Sequence, residues 1–492
     1  MSSLVELRRG AYHDSVSLMQ VSRAVSQSGG VEQALVAMAT ELNLDLLRGM
    51  GFDPPDDAAP TDLVVAIRAA DDDALERARR VCDEELAALA RGSSPTGPGA
   101  QAPARTTGAA AKRAGANLAL VSVPGAYAFA EAMDALESGL SVMIFSDNVP
   151  VEQEVALKEA AGRAGLLVMG PDCGTAVVGG VGLGFANVVR PGPVGLVAAS
   201  GTGAQQLMCL LDAAGVGVTH CLGVGGRDLS GPVGGRSTRQ ALAALDADPN
   251  VEVIAVVSKP PAPEVADEIR AYAASLKTPV ELVFLGEGQP DLTVGAERVL
   301  AALGRSAPQW PCWRPERART PRRGGALRGL FSGGTLCDEA MVIAAAALGP
   351  VRSNIPLRPE WALPEDLRAP GHLMIDFGDD ALTRGRPHPM IDPSLRRERL
   401  EKELADPETG VVLLDVVLGH GAHPDPAGEL AEEIRSGSVP VVVSLCGTEG
   451  DPQGSSRQAE TLTAAGAEVY LSNAAAARRA VELVTAGEEG VR

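Results

Sequence analysis

Val194-Gly195-Leu196-Val197-Ala198-Ala199-Ser200-Gly201-Thr202-Gly203 and Leu327-Arg328-Gly329-Leu330-Phe331-Ser332-Gly333-Gly334-Thr335 have the same pattern. Each is an apolar run of strand length that breaks at a Ser/Gly/Thr turn and continues as a helix. The likeness extends downstream. Leu245-Asp246-Ala247-Asp248-Pro249 is matched by Leu404-Ala405-Asp406-Pro407, and a strand at 253–257 by one at 411–417. Those strands run into Ser258-Lys259-Pro260-Pro261 and Leu418-Gly419-His420-Gly421. Thr278-Pro279-Val280 and Ser438-Val439-Pro440 then each open another strand. A period this long is not a solenoid repeat. It predicts two similar doubly wound, flavodoxin-like domains, at 193–304 and 326–492.

Working outward, residues 117–192 also alternate strand and helix. Strands are expected at 118–123, 141–145 and 166–169, with helices at 126–138 and 152–164. Short apolar runs separated by helices predict a parallel sheet with covered faces, here half of a Rossmann-like domain. Residues 91–116 (RGSSPTGPGAQAPARTTGAAAKRAGA) lack an apolar period and read as a flexible linker. Residues 1–90 carry strands at 4–7, 31–39 and 62–68 and helices at 14–25 and 71–90. This predicts a small α/β, ferredoxin-like domain. Residues 305–325 form a Pro- and Arg-rich basic connector.

Composition narrows the function. The chain has 492 residues, 45% apolar and 22% charged, and length alone suggests about three domains. Aromatic residues are only 3%, so the cores rest on Ala, Val and Leu and base-stacking platforms are scarce. Lys and Arg total 43 against 63 Asp and Glu, a net charge of −20. That balance disfavours nucleic acid as a partner. It leaves open a phosphorylated or carboxylate small molecule, which a helix N-terminus binds locally. No apolar run reaches the ~18 residues of a membrane span, and the N-terminus has no signal-peptide core. The seven cysteines are scattered without CxxC or Cys/His clustering, so neither a metal site nor a disulfide framework is expected. These features together read as a cytoplasmic protein.

The Ser-Gly turns are the sharpest candidates. Backbone N–H groups at a helix start, with the helix dipole, bind phosphate or carboxylate, and Ser and Thr hydroxyls add donors. Ser200, Gly201, Thr202 and Gly203 in the first copy, and Ser332, Gly333, Gly334 and Thr335 in the second, are therefore the expected anion cradle, with Lys259 nearby. The plain alternative is a pair of capped strand–helix turns. The loop Gly223-Val224-Gly225-Gly226-Arg227-Asp228 implies close backbone approach to a ligand or another chain, or else a flexible loop. Arg384, Arg386 and His388, after a strand ending at Asp376, would clamp a substrate carboxylate. His420 is a candidate proton-transfer group. His388, His420, His423 and Asp376 could also be read as metal ligands, but their spacing is not diagnostic. His220 and His372 lie at strand starts and read as core or surface residues.

These residues carry a resemblance. Val121-Ser122-Val123-Pro124-Gly125, Gly170-Pro171-Asp172-Cys173-Gly174, Ser200-Gly201-Thr202 and Gly223-Val224-Gly225-Gly226 resemble, in this order, the succinyl-CoA synthetase alpha subunit. The second repeat resembles the ligase domain of the beta subunit. Tyr12-His13-Asp14-Ser15-Val16 and His388-Pro389-Met390-Ile391-Asp392-Pro393 make the whole chain similar to the FdrA family. The resemblance implies that 117–192 is a partial CoA-binding-type domain and that the two repeats are ligase-type domains. In such synthetases two helix N-termini cradle a phosphorylated histidine. The corresponding segment here, Leu282-Val283-Phe284-Leu285-Gly286-Glu287-Gly288, has none, and no ATP-grasp domain is visible. The FdrA resemblance implies a subunit of an oxamate carbamoyltransferase, exchanging a carbamoyl group between carbamoyl phosphate and oxamate. Its alternatives are a divergent acyl-CoA synthetase subunit and a non-catalytic metabolite-binding scaffold. CoA is the one cofactor the resemblance brings with it, and other subunits or further copies of the chain are the implied partners.

Overall fold

The computed structural model describes residues 2–11, 13, 15–55, 57–93, 104–383 and 387–489. Two compact units emerge, one built mainly on residues 1–110 and one mainly on the rest.

In the first unit the strand Leu63–Ala69 lies between Ser2–Arg8 and Val31–Met38, antiparallel to both. Its side chains alternate between faces, as a strand's must. Leu63, Val65 and Ile67 meet Leu18, Val21 and Val25 of the helix Ser15–Ser26 and Ala78, Cys82 and Leu86 of the helix Asp72–Ser93. Val64 and Ala66 face Leu47 and Phe52 on the other side. This is a split β-α-β arrangement with three of the four strands of a ferredoxin-like sheet. A helix at Glu41–Gly49, capped by Thr40 accepting from the Asn43 N–H, was not expected from sequence. Its apolar residues at 42, 44, 46 and 47 mix strand and helix periods. The linker expectation for 91–116 is corrected in part, because Thr107–Ala114 is a helix. Its Ala-rich sequence favours helix, and Thr106 caps it by accepting from the Ala109 N–H at 3.1 Å. Residues 94–103 of that stretch lie outside the described residues.

The second unit opens with a three-stranded parallel sheet, Leu118–Val121, Ser141–Ile144 and Val168–Met169. The hairpin Thr175–Val178/Val181–Gly184 then joins the next sheet through the edge of Val218–Gly223. That sheet runs Val280–Phe284, Val253–Ser258, Val194–Ala199, Val218–Gly223 and then the hairpin. The last sheet runs Cys312–Trp313, Glu468–Tyr470, Val441–Cys446, Thr409–Val417, Ala326–Phe331, Leu373–Asp376 and Arg352–Ser353. Four successive parallel strands have the same order in both, so the sequence repeat is a structural repeat. The central strands are buried end to end because helices cover both faces. Within the basic connector, Arg319 donates to the carbonyls of Val439, Arg435 and Ala465. This Arg thus serves the C-terminal ends of neighbouring helices.

The Gly-rich loop after Gly223 is a packing joint. Gly225 has φ +89°, and a Cβ there would lie 2.5 Å from the Pro171 carbonyl oxygen. Asp228, fully buried, accepts from the backbone N–H groups of Ser237 and Thr238 at the start of the helix Arg236–Ala247. It also pairs with Lys158 at 2.8 Å. Lys158 is buried on the helix Val151–Ala164, where it meets Glu154 at 2.7 Å and the Val224 carbonyl at 2.9 Å. All three ammonium protons are thereby used. Replacing Lys158 by Met strands Asp228 as a buried charge and leaves Glu154 paired with Arg227 alone, which costs about 3–5 kcal/mol. Urea unfolding should show that loss, and Lys158→Met with Asp228→Asn should recover part of it.

Candidate functional site

Both Ser/Gly turns lie at the carboxyl ends of central strands, where open α/β sheets place their ligands. Ser200 has extended backbone and caps the helix Gly201–Ala213, its Oγ accepting from the Gly203 N–H at 3.0 Å. The matching helix is Gly334–Leu348, with Gly333 at its cap. The two turns face each other. Ser200 Oγ and Thr335 Oγ1 are 2.7 Å apart. A Cβ on Gly333 would lie 2.7 Å from Thr202 Cγ2, and one on Gly203 would lie 3.1 Å from Thr335 Cγ2. Two helix N-termini from separate domains therefore meet, each carrying about half a positive charge.

Their donors are not equally available. The Ser332 N–H and hydroxyl both donate to Asp415 Oδ1, and the Gly333 N–H donates to Asp415 Oδ2 at 2.8 Å. Arg396 holds the same carboxylate at 2.6 Å. The expectation that Ser332 and Gly333 cradle a ligand is thus corrected: Asp415, from the neighbouring strand, takes their donors. Ser200 likewise acts as a cap. The first helical N–H groups, at Gly201, Thr202, Gly334 and Thr335, have no intrahelical acceptor, as at any helix start.

Lys259 reaches this junction from the other domain. Its Nζ lies 3.1 Å from where a Gly334 Cβ would be, and it pairs with Asp338 at 3.1 Å. Burial lowers the Lys259 ammonium, but Asp338 and Asp376 outweigh it and the net direction is upward. Asp376 ends the strand Leu373–Asp376 and is 5% exposed. Its Oδ1 accepts from the Gly378 N–H at 2.9 Å, and its Oδ2 lies 2.6 Å from the Gly334 Cβ position. Burial drives its carboxyl up to about 7, against the pull of Lys259 and the Gly378 N–H. Sequence reading reached Asp376 only as a metal-ligand candidate and passed over Asp338 and Asp415. Position at a strand's carboxyl end was the available signal for Asp376.

His388 is half-buried, with Nε2 beside Gly378 and its ring centroid 5.7 Å from that of Phe185. Its Nδ1 accepts from the Met390 N–H at 3.2 Å, which places the ring proton on Nε2. Burial and the Arg396 charge push the imidazole down to about 4. His388 is therefore a neutral donor through Nε2, not a nucleophile there. His420 is exposed on a loop whose backbone N–H donates to the Ala186 carbonyl at 2.9 Å. Its neighbour Gly421 packs on Phe185. His423 is buried, its Nδ1 accepting from the Asp425 N–H. Among the described residues no three His, Cys, Asp or Glu side chains are arranged to hold a metal ion. No helix among them is long and apolar enough to cross a membrane. Arg384 and Arg386 lie outside the described residues.

Comparison with known proteins adds to this geometry. Residues 330–483 match the CoA-ligase family model, and residues 1–103 match that of the AllF heavy metal-associated domain. The chain is 38% identical to YahF of Escherichia coli, over 99% of this chain and 100% of that protein. It is 27% identical to the alpha subunit of the ADP-forming succinate–CoA ligase of Methanothermobacter thermautotrophicus, over 29% of this chain and 48% of that protein. The chain thus spans about half the length of that ligase subunit. A solved structure of the dinucleotide-forming acetyl-coenzyme A synthetase 1 of Ca. Korarchaeum cryptofilum aligns with TM-score 0.31 and 16% identity, covering 81% of this chain and 89% of that one. The relatives named for an activity are CoA ligases, so carbamoyl transfer gains no support from them. The first unit does not fit a heavy-metal carrier. Its one cysteine, Cys82, is buried against the sheet, and burial raises its thiol to about 11.

Asp376 predicts a pH dependence. Its folded value near 7 exceeds the unfolded value near 4, so between those limits the folded state holds a proton that the unfolded state has released. Stability should fall as pH rises from about 4 to 7 and level off above. Asp376→Asn should remove that component, on the order of a few kcal/mol, in urea unfolding measured at pH 5 and pH 8. Equal slopes in both proteins would contradict the assignment.

Proposed function

Because the chain belongs to the family of Escherichia coli YahF, an FdrA-like family with succinyl-CoA-synthetase-alpha-like sequence, we propose that it is an acyl-CoA ligase-like subunit. It binds an acyl phosphate or its carboxylate and phosphate parts at the two helix N-termini. The observation that carries this reading is the 2.7 Å contact between Ser200 Oγ and Thr335 Oγ1, which brings both termini to one place. A dianionic phosphate in a chain of net charge −20 needs concentrated positive potential. Two helix ends and Lys259 supply it.

The reaction proposed for this chain is acyl phosphate plus CoA giving acyl-CoA plus phosphate. The thiol attacks the acyl carbon, the C–O bond to phosphate breaks, and the thiol proton leaves to solvent. The helix N–H groups stabilise the departing phosphate, and the His388 Nε2–H is a donor for the carbonyl oxygen. No protein phosphohistidine is required. This agrees with the histidine-free segment after the strand Val280–Phe284 and with a His388 protonated at Nε2. CoA enters as a substrate, and ATP chemistry falls to another subunit. A second reading, carbamoyl transfer to oxamate, draws on the same missing histidine and on the FdrA resemblance, since carbamoyl phosphate is also an acyl phosphate.

The full chain should be assayed with acetyl phosphate, succinyl phosphate and carbamoyl phosphate, each with CoA and with oxamate, following phosphate release. Thioester formation supports the first reading and oxalurate formation the second. Thr202→Val and Thr335→Val keep volume but delete hydroxyls at the junction, and each should lower the rate on the order of 10²-fold if its hydroxyl acts in the transition state. Unchanged rates in both would remove the junction from the chemistry. Labelled ATP should leave no acid-labile phosphate on the chain, and stable labelling of His388 or His420 would refute the histidine-free route.

A further inference from the structure

The Gly334 helix start holds one feature that a cap does not need. Asp376 Oδ2 is pressed against the first residue of the helix, on a side chain only 5% exposed, and among the described residues it accepts no hydrogen bond. Its sister oxygen Oδ1 is fixed by the Gly378 N–H, so Oδ2 cannot turn away without breaking that bond. Lys259 approaches the same point but gives its ion pair to Asp338. A carboxylate this deeply buried, with only one oxygen held by a protein donor, is costly to keep ionised, and the more so if a second anion arrives.

Resting on the reading that this junction binds an oxyanion, we propose that Asp376 takes up a proton when the ligand binds and donates it, through Oδ2, to an oxygen of the ligand. The ligand class is a phosphate- or carboxylate-bearing molecule. The proton comes from solvent and returns there on release, so charge at the junction rises by one less than the ligand brings. The groups facing Asp376 are Lys259 from the other domain, Cys337 and Asp338 of the Gly334 helix, Asp415 across the sheet, and His388 over Gly378. Of these carboxylates Asp415 is held by Arg396 and two N–H groups, and Asp338 by Lys259. Asp376 alone lacks a cationic partner within ion-pair distance among the described residues. Its upward shift by burial agrees with an acid that can hold a proton near neutrality. The device would discriminate as well as bind. With Asp376 protonated, a ligand oxygen that accepts a hydrogen bond is favoured over a donor group at that position, which would face the O–H.

The test is calorimetric binding to the full chain between pH 6.5 and 9. Sulfate stands for a phosphate and succinate for a carboxylate, because neither titrates in that range. Two buffers of different ionisation enthalpy report the protons taken up. For the wild type, uptake should approach one proton per ligand near pH 8. Affinity for the probe that occupies the junction should fall up to about tenfold per pH unit above about 7. Asp376→Asn should bind with flat pH dependence and no uptake, and Asp338→Asn should keep the wild-type slope. Binding without uptake in the wild type, or a slope that survives Asp376→Asn or moves with Asp338→Asn, overturns the inference while leaving the proposed function standing. If neither probe binds at any pH, the oxyanion reading of the junction fails and this inference fails with it. Should Asp376→Asn not fold, the wild-type proton count and the Asp338→Asn slope still decide the matter.

Discussion

Ser200 Oγ and Thr335 Oγ1 share a hydrogen bond across a joint between two domains, and the rest of the second unit is arranged so that this contact can form. For two helix N-termini to come so close, the backbone between them must be bare. Gly203 and Gly333 provide this, since a methyl group at either would press into Thr335 or Thr202. The buried hydroxyl pair satisfies polar groups that would otherwise be stranded. Convergence of like helix ends is electrostatically unfavourable on its own. Something negative must compensate.

Part of that compensation is internal. Asp415 occupies the Ser332 and Gly333 donors and is itself clamped by Arg396. Asp338 balances Lys259. Asp376 stands apart at the helix start, raised by burial. The second turn is thus half filled by a carboxylate from the neighbouring strand, whereas at the first turn the Ser200 hydroxyl takes the Gly203 N–H. The two copies of the motif are alike in backbone and different in charge, as two sites derived from one pattern with unequal tasks would be.

Further from the joint, the structure uses buried charge as fixings. Lys158, with Glu154 and Asp228, locks the three-stranded layer to the Gly-rich turn. Glu339 accepts from the Leu292 N–H at 2.6 Å and from Asn473 at 2.7 Å, tying the Gly334 helix to helices of both doubly wound domains. Such groups carry a high penalty if one partner is lost, so they hold a particular arrangement more than they add to stability. The rigid frame they give is what an electrostatic site requires.

The amino-acid sequence by itself determined the elements and their repetition. Apolar runs closing at Ser200-Gly201 and Ser332-Gly333, and the matched segments after them, were enough to place two doubly wound domains, because strand burial and helix capping are written in short periods. The histidine-free segment after Phe284 was equally legible. Less was visible where periods mixed, as at Glu41–Gly49, or where composition masked a helix, as at Thr107–Ala114. The tertiary structure alone decided which donors remain open. Ser332 looked like Ser200 in sequence, but Asp415, 83 residues later, had claimed it. It alone brought Lys259 and Asp376 to one helix start, and set Ser200 against Thr335 across 135 residues of chain. The physical reason is range. Backbone preference and periodicity act over a few residues, whereas the pairing and desolvation of a side chain depend on whatever packing places beside it.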